Sequence, residues 1–380
     1  MNSLISNKGL VDILRRLVKI PTENPPGKTD KIIEYLISEV FTESEGFQNE
    51  IITYKKKNIE LSNLVTKIGT GKEKIILSGH FDVVPPGNYE EWKHPPFSAD
   101  IVDGKLYGRG SADMKAGLTM LIGTMKKLKE YTKFLKKYSL VFLGTADEEA
   151  GMTGALTSAR KGVLRNSILL IIGEPTNMNI GIAEKGLLWA NLEIYGKSAH
   201  GSTPYMGINS IEGALKLIPQ LYNCLDDFEN EILGSSTINI GKIEGGTTIN
   251  IVPNKTIMQV DFRLIPEQDV GRLIKKLKDI KLSPCSLKVV ITFTLPSLQT
   301  DTKFSFVQNL KKITNRKFIG LPYATDSAVL VDSKNPVPFV IYGPGDPAVV
   351  HRENEHVKIE DVYEATNLLT KALLQTYLKD

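Results

Sequence analysis

Three near-continuous apolar runs constrain this chain more than any other feature. Leu77-Ser-Gly-His-Phe-Asp-Val-Val84 closes a run that begins near Lys74. Tyr138-Ser-Leu-Val-Phe-Leu-Gly144 runs on to Asp147-Glu-Glu149, and Ser167-Ile-Leu-Leu-Ile-Ile172 runs into Gly173-Glu-Pro175. Such runs, separated by helices, predict strands buried on both faces of a sheet, so the fold class is α/β. In sheets of this kind ligands gather beyond the carboxyl ends of the strands, and His80, Glu148, Glu149 and Glu174 all fall there. One acid at a strand end carries no message. Successive runs that each end in an imidazole or a carboxylate point to a metal. His80 and Asp82 lie two apart and share a face of extended chain, so Asp82 is placed to hold the imidazole from behind. Taken alone, that pair also reads as two strand-end side chains bonded to each other, and it is the runs that follow which favour the metal.

At 380 residues the chain exceeds what one hydrophobic core usually serves, and two domains are expected. Helical spacing over residues 8–19 and 30–41 precedes strand-like runs at 50–54 and 63–68, and a helix is expected over 118–131. From about Lys185 to Thr294 the pattern changes to β-α-β-β-α-β, the order of a ferredoxin-like α+β fold. The expectation is therefore an inserted domain, 185–294, within a metal-binding domain made of 1–184 and 295–380. The α/β pattern then resumes with a helix near 302–315, an apolar run at 337–342 and a closing helix near 358–377.

Composition excludes several classes. Lys+Arg 47 against Asp+Glu 43 leaves a formal net charge of +4, too small and too scattered for a nucleic-acid partner. Cys224 and Cys285 cannot build a disulfide framework. The opening residues lack a signal-peptide core, and no apolar stretch is long enough to span a bilayer, so a cytoplasmic protein without a membrane partner is expected. Gly108-Arg-Gly110 lacks the third glycine of a dinucleotide loop, and Gly69-Thr-Gly-Lys72 lacks the spacing of a phosphate loop.

The candidate ligands are His80, Asp113, Glu149, Glu174 and His351. Imidazole with carboxylate suits zinc, or else cobalt or manganese, and the absence of thiolates argues against a structural zinc site. Five donors exceed what one tetrahedral ion takes, but a carboxylate shared by two ions about 3.5–4 Å apart would use them all. Glu148, beside a ligand, is then placed to take a proton from water.

Gly79-His-Phe-Asp-Val-Val-Pro85, Tyr107-Gly-Arg-Gly-Ser-Ala-Asp-Met-Lys115, Asp147-Glu-Glu149, Gly173-Glu-Pro175, Gly196-Lys-Ser-Ala-His200 and Gly343-Pro-Gly345 with His351 together carry a resemblance. They resemble the two-zinc deacylase and exopeptidase family that includes acetylornithine deacetylase, succinyl-diaminopimelate desuccinylase, aminoacylase and certain carboxypeptidases. The resemblance implies a mixed-sheet catalytic domain of zinc-exopeptidase type and an inserted lid that joins a homodimer. It makes Asp113 the bridge between two divalent metal ions, with His80 and Glu174 completing one site and Glu149 and His351 the other. Asp82 becomes the partner of His80, Glu148 the general base, and the Asp113–Met114 peptide is expected to be cis. His351 is preferred over His356 because it precedes Asn354-Glu355. His200 is implied to hold the oxyanion, and Asn250 and Arg263 to grip a substrate carboxylate; turn chemistry for Asn250 and a strand-face ion pair for Arg263 are the plainer alternatives. The implied reaction removes an acyl group from an N-acyl amino acid. A metallo-exopeptidase acting on short peptides is the nearest rival. A protein that only binds a ligand is a third reading, against which Glu148 argues, since binding needs no base.

Overall fold

The structure, a computed structural model, describes residues 5–331 and 336–378. The first four residues, part of the opening stretch read above, lie outside them. The chain divides into two compact units. One comprises residues up to Ile182, Thr300–Ile319 and the chain from Thr325 onward, and the other Ala183–Gln299 and Gly320–Ala324.

The first unit opens on a helix, Asn7–Lys19, started by Ser6, whose side chain accepts from the Gly9 N–H, and anchored by buried Leu10, Leu14 and Leu17. Strands β1 (Gln48–Lys56), β2 (Ile59–Ile68), β3 (Glu73–His80), β4 (Tyr138–Thr145) and β5 (Ser167–Ile172) follow, and β6 (Ile180–Glu184) begins in this unit and ends in the other. All three apolar runs are strands, and β3 lies between β4 and β5, parallel to both. The register sets His80 beside Thr145 and Ser78 beside Ile172, so the carboxyl ends of all three emerge at one edge. Burial explains the composition: every residue of β4 is buried, and Leu170 and Ile171 on β5 are wholly inaccessible. Each such side chain contributes roughly 1.5–3 kcal/mol. β1 and β2 pair antiparallel, as do β2 and β4, and the sheet is mixed.

Two departures from the sequence pattern have local causes. The helix expected over 30–41 is α-helical only over Asp30–Tyr35 and widens to a π-turn at Leu36–Val40, where the Ser38 hydroxyl donates to the Glu34 carbonyl. The helix expected from 118 begins at Ala116, because Gly117 lets it close on the sheet. A Cβ there would stand 1.6 Å from the Gly173 carbonyl oxygen, next to Glu174.

The second unit contains β7 (Gly186–Tyr195), β8 (Thr237–Gly245), β9 (Lys255–Leu264) and β10 (Ser286–Leu295), with helices Ser210–Tyr222 and Val270–Asp279 between them. The strands lie in the order β8-β9-β7-β10, all antiparallel, so the first and last of the β-α-β-β-α-β series are neighbours. Alternation puts Leu188, Ala190, Leu192 and Ile194 into a core with Leu217, Leu221, Leu273 and Leu277 of the helices. Trp189 points the other way and stays 44% exposed, tilted against Phe293.

The first unit resumes with a helix at Ser305–Thr314, then β11 (Phe339–Ile341), and a closing helix at Ile359–Tyr377. β11 inserts between β5 and β6, parallel to the first, pairing Phe339 with Leu170 and Ile341 with Gly181. Among the described residues no helix is long and apolar enough to cross a membrane.

Candidate metal centre

The carboxyl ends of β3, β4 and β5 bring His80, the Asp147-Glu148-Glu149 turn and Glu174 together. Two further segments complete the group. Ser111–Lys115 forms an irregular turn carrying Asp113, and its Asp113–Met114 peptide is cis, as the resemblance implies. His351 follows a short 3₁₀ turn at Pro347–Val349 and holds a left-handed backbone, φ 62°.

Asp113 divides its oxygens. Oδ1 lies 3.2 Å from His80 Nε2, and Oδ2 lies 3.2 Å from His351 Nε2. Glu174 Oε1 approaches His80 Nε2 at 3.5 Å, and Glu149 Oε1 approaches His351 Nε2 at 3.1 Å. Donor atoms of His80, Asp113 and Glu149 all fall within 4.8 Å of one another. Two imidazoles and three carboxylates, without a thiolate, suit divalent ions with an N/O preference. The pattern also divides as a dinuclear site would: His80, Glu174 and one oxygen of Asp113 on one side, His351, Glu149 and the other oxygen on the second.

Asp82 serves this group differently from the sequence reading. His80 Nδ1 donates to the Asp82 backbone carbonyl at 2.9 Å, and the Asp82 carboxylate stands farther off, at 3.7 Å. That carboxylate instead accepts from the amides of Glu148 and Glu149, both at 3.2 Å, and from Asn24 Nδ2 at 2.8 Å. Extended chain does set residues 80 and 82 on one face, but the carboxylate is occupied by the acidic turn. Asp82 thereby fixes the backbone of Glu148 and Glu149.

Electrostatics follow from crowding acids out of water. Burial pushes the Glu148 and Glu174 carboxyls well above their ordinary values, and neighbouring Glu149 and Asp113, respectively, push the same way. Burial works against a charged His80, yet the bond to Asp113 and the charges of Glu174 and Glu148 outweigh it and raise it well above the usual value. Hydrogen bonds to Asp113 and Glu149 lift His351 to about 10. Burial would raise Asp113 as well, but its bonds to His351 and His80 hold it below the usual carboxylate range.

Residues without a sequence signature complete it. Asn24 reaches both Asp82 and, at 3.0 Å, Asp147, which Lys56 also grips at 2.7 Å. Asp326 is buried, accepts from Thr145 Oγ1 at 2.6 Å and is raised to about 6 by burial. Glu355 is wholly buried and pairs with Arg109. Only Glu355 had a pointer, its distance from His351.

His200, Asn250 and Arg263 belong to the second unit. His200 is exposed, bridges to Ile251, and accepts the Ser202 N–H on Nδ1 at 3.1 Å. Asn250 Oδ1 accepts from Thr248, and Arg263 pairs with Asp261 on its own strand at 3.1 Å, the contacts of the plainer readings. His356, which the sequence suggests is a packed or surface residue, is half-buried and lies tilted against Tyr107.

A divided carboxylate between two histidine-acid pairs, with a spare half-buried acid beside them and a family match over most of the chain, marks a metal-dependent hydrolase of amide or peptide bonds. Residues 76–375 match Peptidase family M20/M25/M40, and the chain belongs to that family. It is 30% identical to a probable succinyl-diaminopimelate desuccinylase of Staphylococcus aureus (strain N315), over 99% of both chains. In structure it resembles a tripeptidase of S. aureus subsp. aureus Mu50, with a TM-score of 0.78 and 22% identity over 99% of this chain and 100% of that one. It also resembles a Bacillus subtilis protein described as a dinuclear metal binding peptidase from the M20 family, with a TM-score of 0.67 and 17% identity over 98% and 99%. The mixed α/β fold is that of the family.

Proposed function

We propose that this chain is a cytoplasmic two-metal amidohydrolase that removes the acyl group from an N-acyl amino acid, in the manner of a succinyl-diaminopimelate desuccinylase or acetylornithine deacetylase. The observation that carries the reading is the division of Asp113 between His80 and His351, with Glu148 beside the ligands but outside their contacts. Two divalent ions, zinc or else cobalt or manganese, held by His80, Asp113, Glu149, Glu174 and His351, supply polarisation of the scissile carbonyl and acidify the attacking water when bound. Glu148 takes the water's proton on its carboxylate and delivers it to the leaving amine, a task that suits an acid whose affinity for protons burial has raised. Asp82 keeps the Glu148 and Glu149 amides in register for this.

The second unit acts as lid and dimerisation domain in this reading. Exposed Ile211 and Leu215 on its first helix and Ile243 on edge strand β8 supply an apolar surface for a second copy. Because the Ser202 N–H donates to Nδ1 of His200, neutral His200 carries its proton on Nε2, a donor suited to the oxyanion in the partner's site. Asn250 and Arg263 hold the substrate carboxylate. Mixed dimers of Glu148→Gln and His200→Ala test the arrangement: activity appearing only on mixing supports a contribution from the partner, and none, with exchange confirmed by mass, refutes it.

For the substrate, metal-loaded enzyme is assayed against N-succinyl-diaminopimelate, N-acetylornithine, other acyl amino acids and short peptides, ranked by kcat/KM. Acyl amino acids are expected to lead. Clear preference for dipeptides or tripeptides replaces the deacylase with an exopeptidase using the same residues.

A further inference from the structure

We infer that Glu355 is a positioning residue for the metal centre: its buried carboxylate ties the peptide that carries Asp113 to the segment that carries His351, and so governs how Asp113 shares its two oxygens. Glu355 Oε1 accepts from the backbone N–H of Ala112 at 2.9 Å and of Asp113 itself at 3.1 Å. Oε2 accepts from Arg109 Nη1 at 2.6 Å, and the same Nη1 reaches the Arg352 carbonyl at 3.2 Å. The Glu355 carbonyl in turn accepts from the Gly108 N–H at 2.9 Å. Loop 108–113 and strap 351–355 are thus joined at five hydrogen bonds, four of them made by Glu355.

The arrangement has a chemical logic. A site with Asp113, Glu148, Glu149 and Glu174 is already crowded with acid, and a further carboxylate is tolerable only because Arg109, itself 2% exposed and lying over the Trp92 ring, balances its charge. Both Glu355 oxygens are spent on main-chain and guanidinium donors, so it cannot compete as a ligand. The bonds to residues 112 and 113 fix the Asp113 backbone while leaving both side-chain oxygens to face the imidazoles. The two halves of the centre depend on this clasp unequally. His80 ends a strand held by a parallel ladder and Glu174 follows another, whereas His351 sits on a left-handed turn four residues before Glu355, with the short ladder of His356–Lys358 on Lys105–Tyr107 beyond it.

The inference rests on the two-ion reading, and its test separates the two. Glu355→Asp keeps the charge but withdraws it by about 1.5 Å, one carbon–carbon bond, beyond hydrogen-bond range of the two amides. Calorimetric titration of zinc into the metal-free full chain is expected to show two ions in the parent. In the variant one ion should bind within about threefold of the parent and the other about 10- to 100-fold more weakly. Cobalt(II) loading gives a second readout: spin coupling across the shared carboxylate in the parent, and its loss or weakening in the variant at equal cobalt content. Glu355→Gln, which keeps the length and an acceptor oxygen for the two amides, is expected to stay nearer the parent's pair of affinities than Glu355→Asp. A parent chain that binds a single ion overturns the two-ion reading and this inference with it. A parent and Glu355→Asp that bind two ions with the same pair of affinities and the same coupling overturn this inference alone, as does equal weakening of both ions. If neither variant gives a native circular dichroism spectrum, Glu355 is a residue of general stability and the positioning role is refuted.

Discussion

Adding metal to the metal-free protein should expel protons, and the number can be worked from the contacts. His351 Nε2 faces Asp113 at 3.2 Å and Glu149 at 3.1 Å, and these bonds hold its imidazole charged up to about pH 10. His80 Nε2 faces Asp113 at 3.2 Å and Glu174 at 3.5 Å, and it too is raised well above its ordinary value. Its Nδ1 proton is kept, because Asp82 accepts it through the backbone, so the proton that must leave for an ion is the one on Nε2. Each imidazole loses one, and filling both sites releases about two protons, with Glu148 and Glu174 adding to the count where burial keeps them protonated. The logarithm of the product of the two association constants should then rise by at least about two for each pH unit between 6 and 8. Zinc titrations in two buffers of different ionisation enthalpy, at matched pH and ionic strength, measure the release directly. Equal heats in both buffers, or an affinity flat over that range, would refute the argument that protons stand where the ions go.

Three other outcomes are expected. Glu148→Gln should keep both ions by mass spectrometry while kcat falls by about 10² or more, whereas loss of an ion would make Glu148 a ligand. Asn24→Ala removes the donor shared by Asp82 and Asp147 and should cost about 1–3 kcal/mol in denaturant unfolding of the metal-free chain, so a change within experimental error counts against the network. Burial raises Glu148, Glu174 and Asp326 in the folded chain, so the folded state holds more protons than the unfolded one above about pH 4. The Tm of the metal-free protein should therefore fall as pH rises above about 4 and through about 6, where Asp326 titrates, while Asp113, held below the usual range, takes stability away as pH falls further. A Tm that climbs over the same range contradicts the sign.

The strands that carry the centre were legible because nothing else makes long apolar runs such as 167–172 affordable in a folded chain, and parallel neighbours leave few places for their polar ends. Asp113 and His351 were legible only through motif resemblance: neither ends an apolar run, and the irregular turn at 111–115 has no periodicity to betray it. Asn24 and Asp326 left no mark at all. Each acts through one hydrogen-bonding side chain reaching across 58 or 181 positions of sequence, to Asp82 and Thr145 respectively, and a local pattern cannot encode such a meeting. Asp82 shows the opposite limit. Its spacing from His80 was read correctly, but spacing cannot say that two amides would take the carboxylate and leave the carbonyl for the imidazole.

The placement of β11 between β5 and β6 has a consequence for biogenesis. A ribosome delivers β5 and β6 early, then the whole second unit, and only afterwards the strand that belongs between them. At about 5–20 residues per second, the roughly 170 residues separating Ile172 from Phe339 leave the flank of β5 unpaired for something like 8–35 s. For that interval the nascent chain presents a bare run, Ile168-Leu-Leu-Ile-Ile172, with its main-chain donors and acceptors open to any passing strand. Conditions that slow translation through the second unit should lower soluble yield more than equal slowing after residue 341, and chaperone capture of stalled chains should peak while that seam stands open.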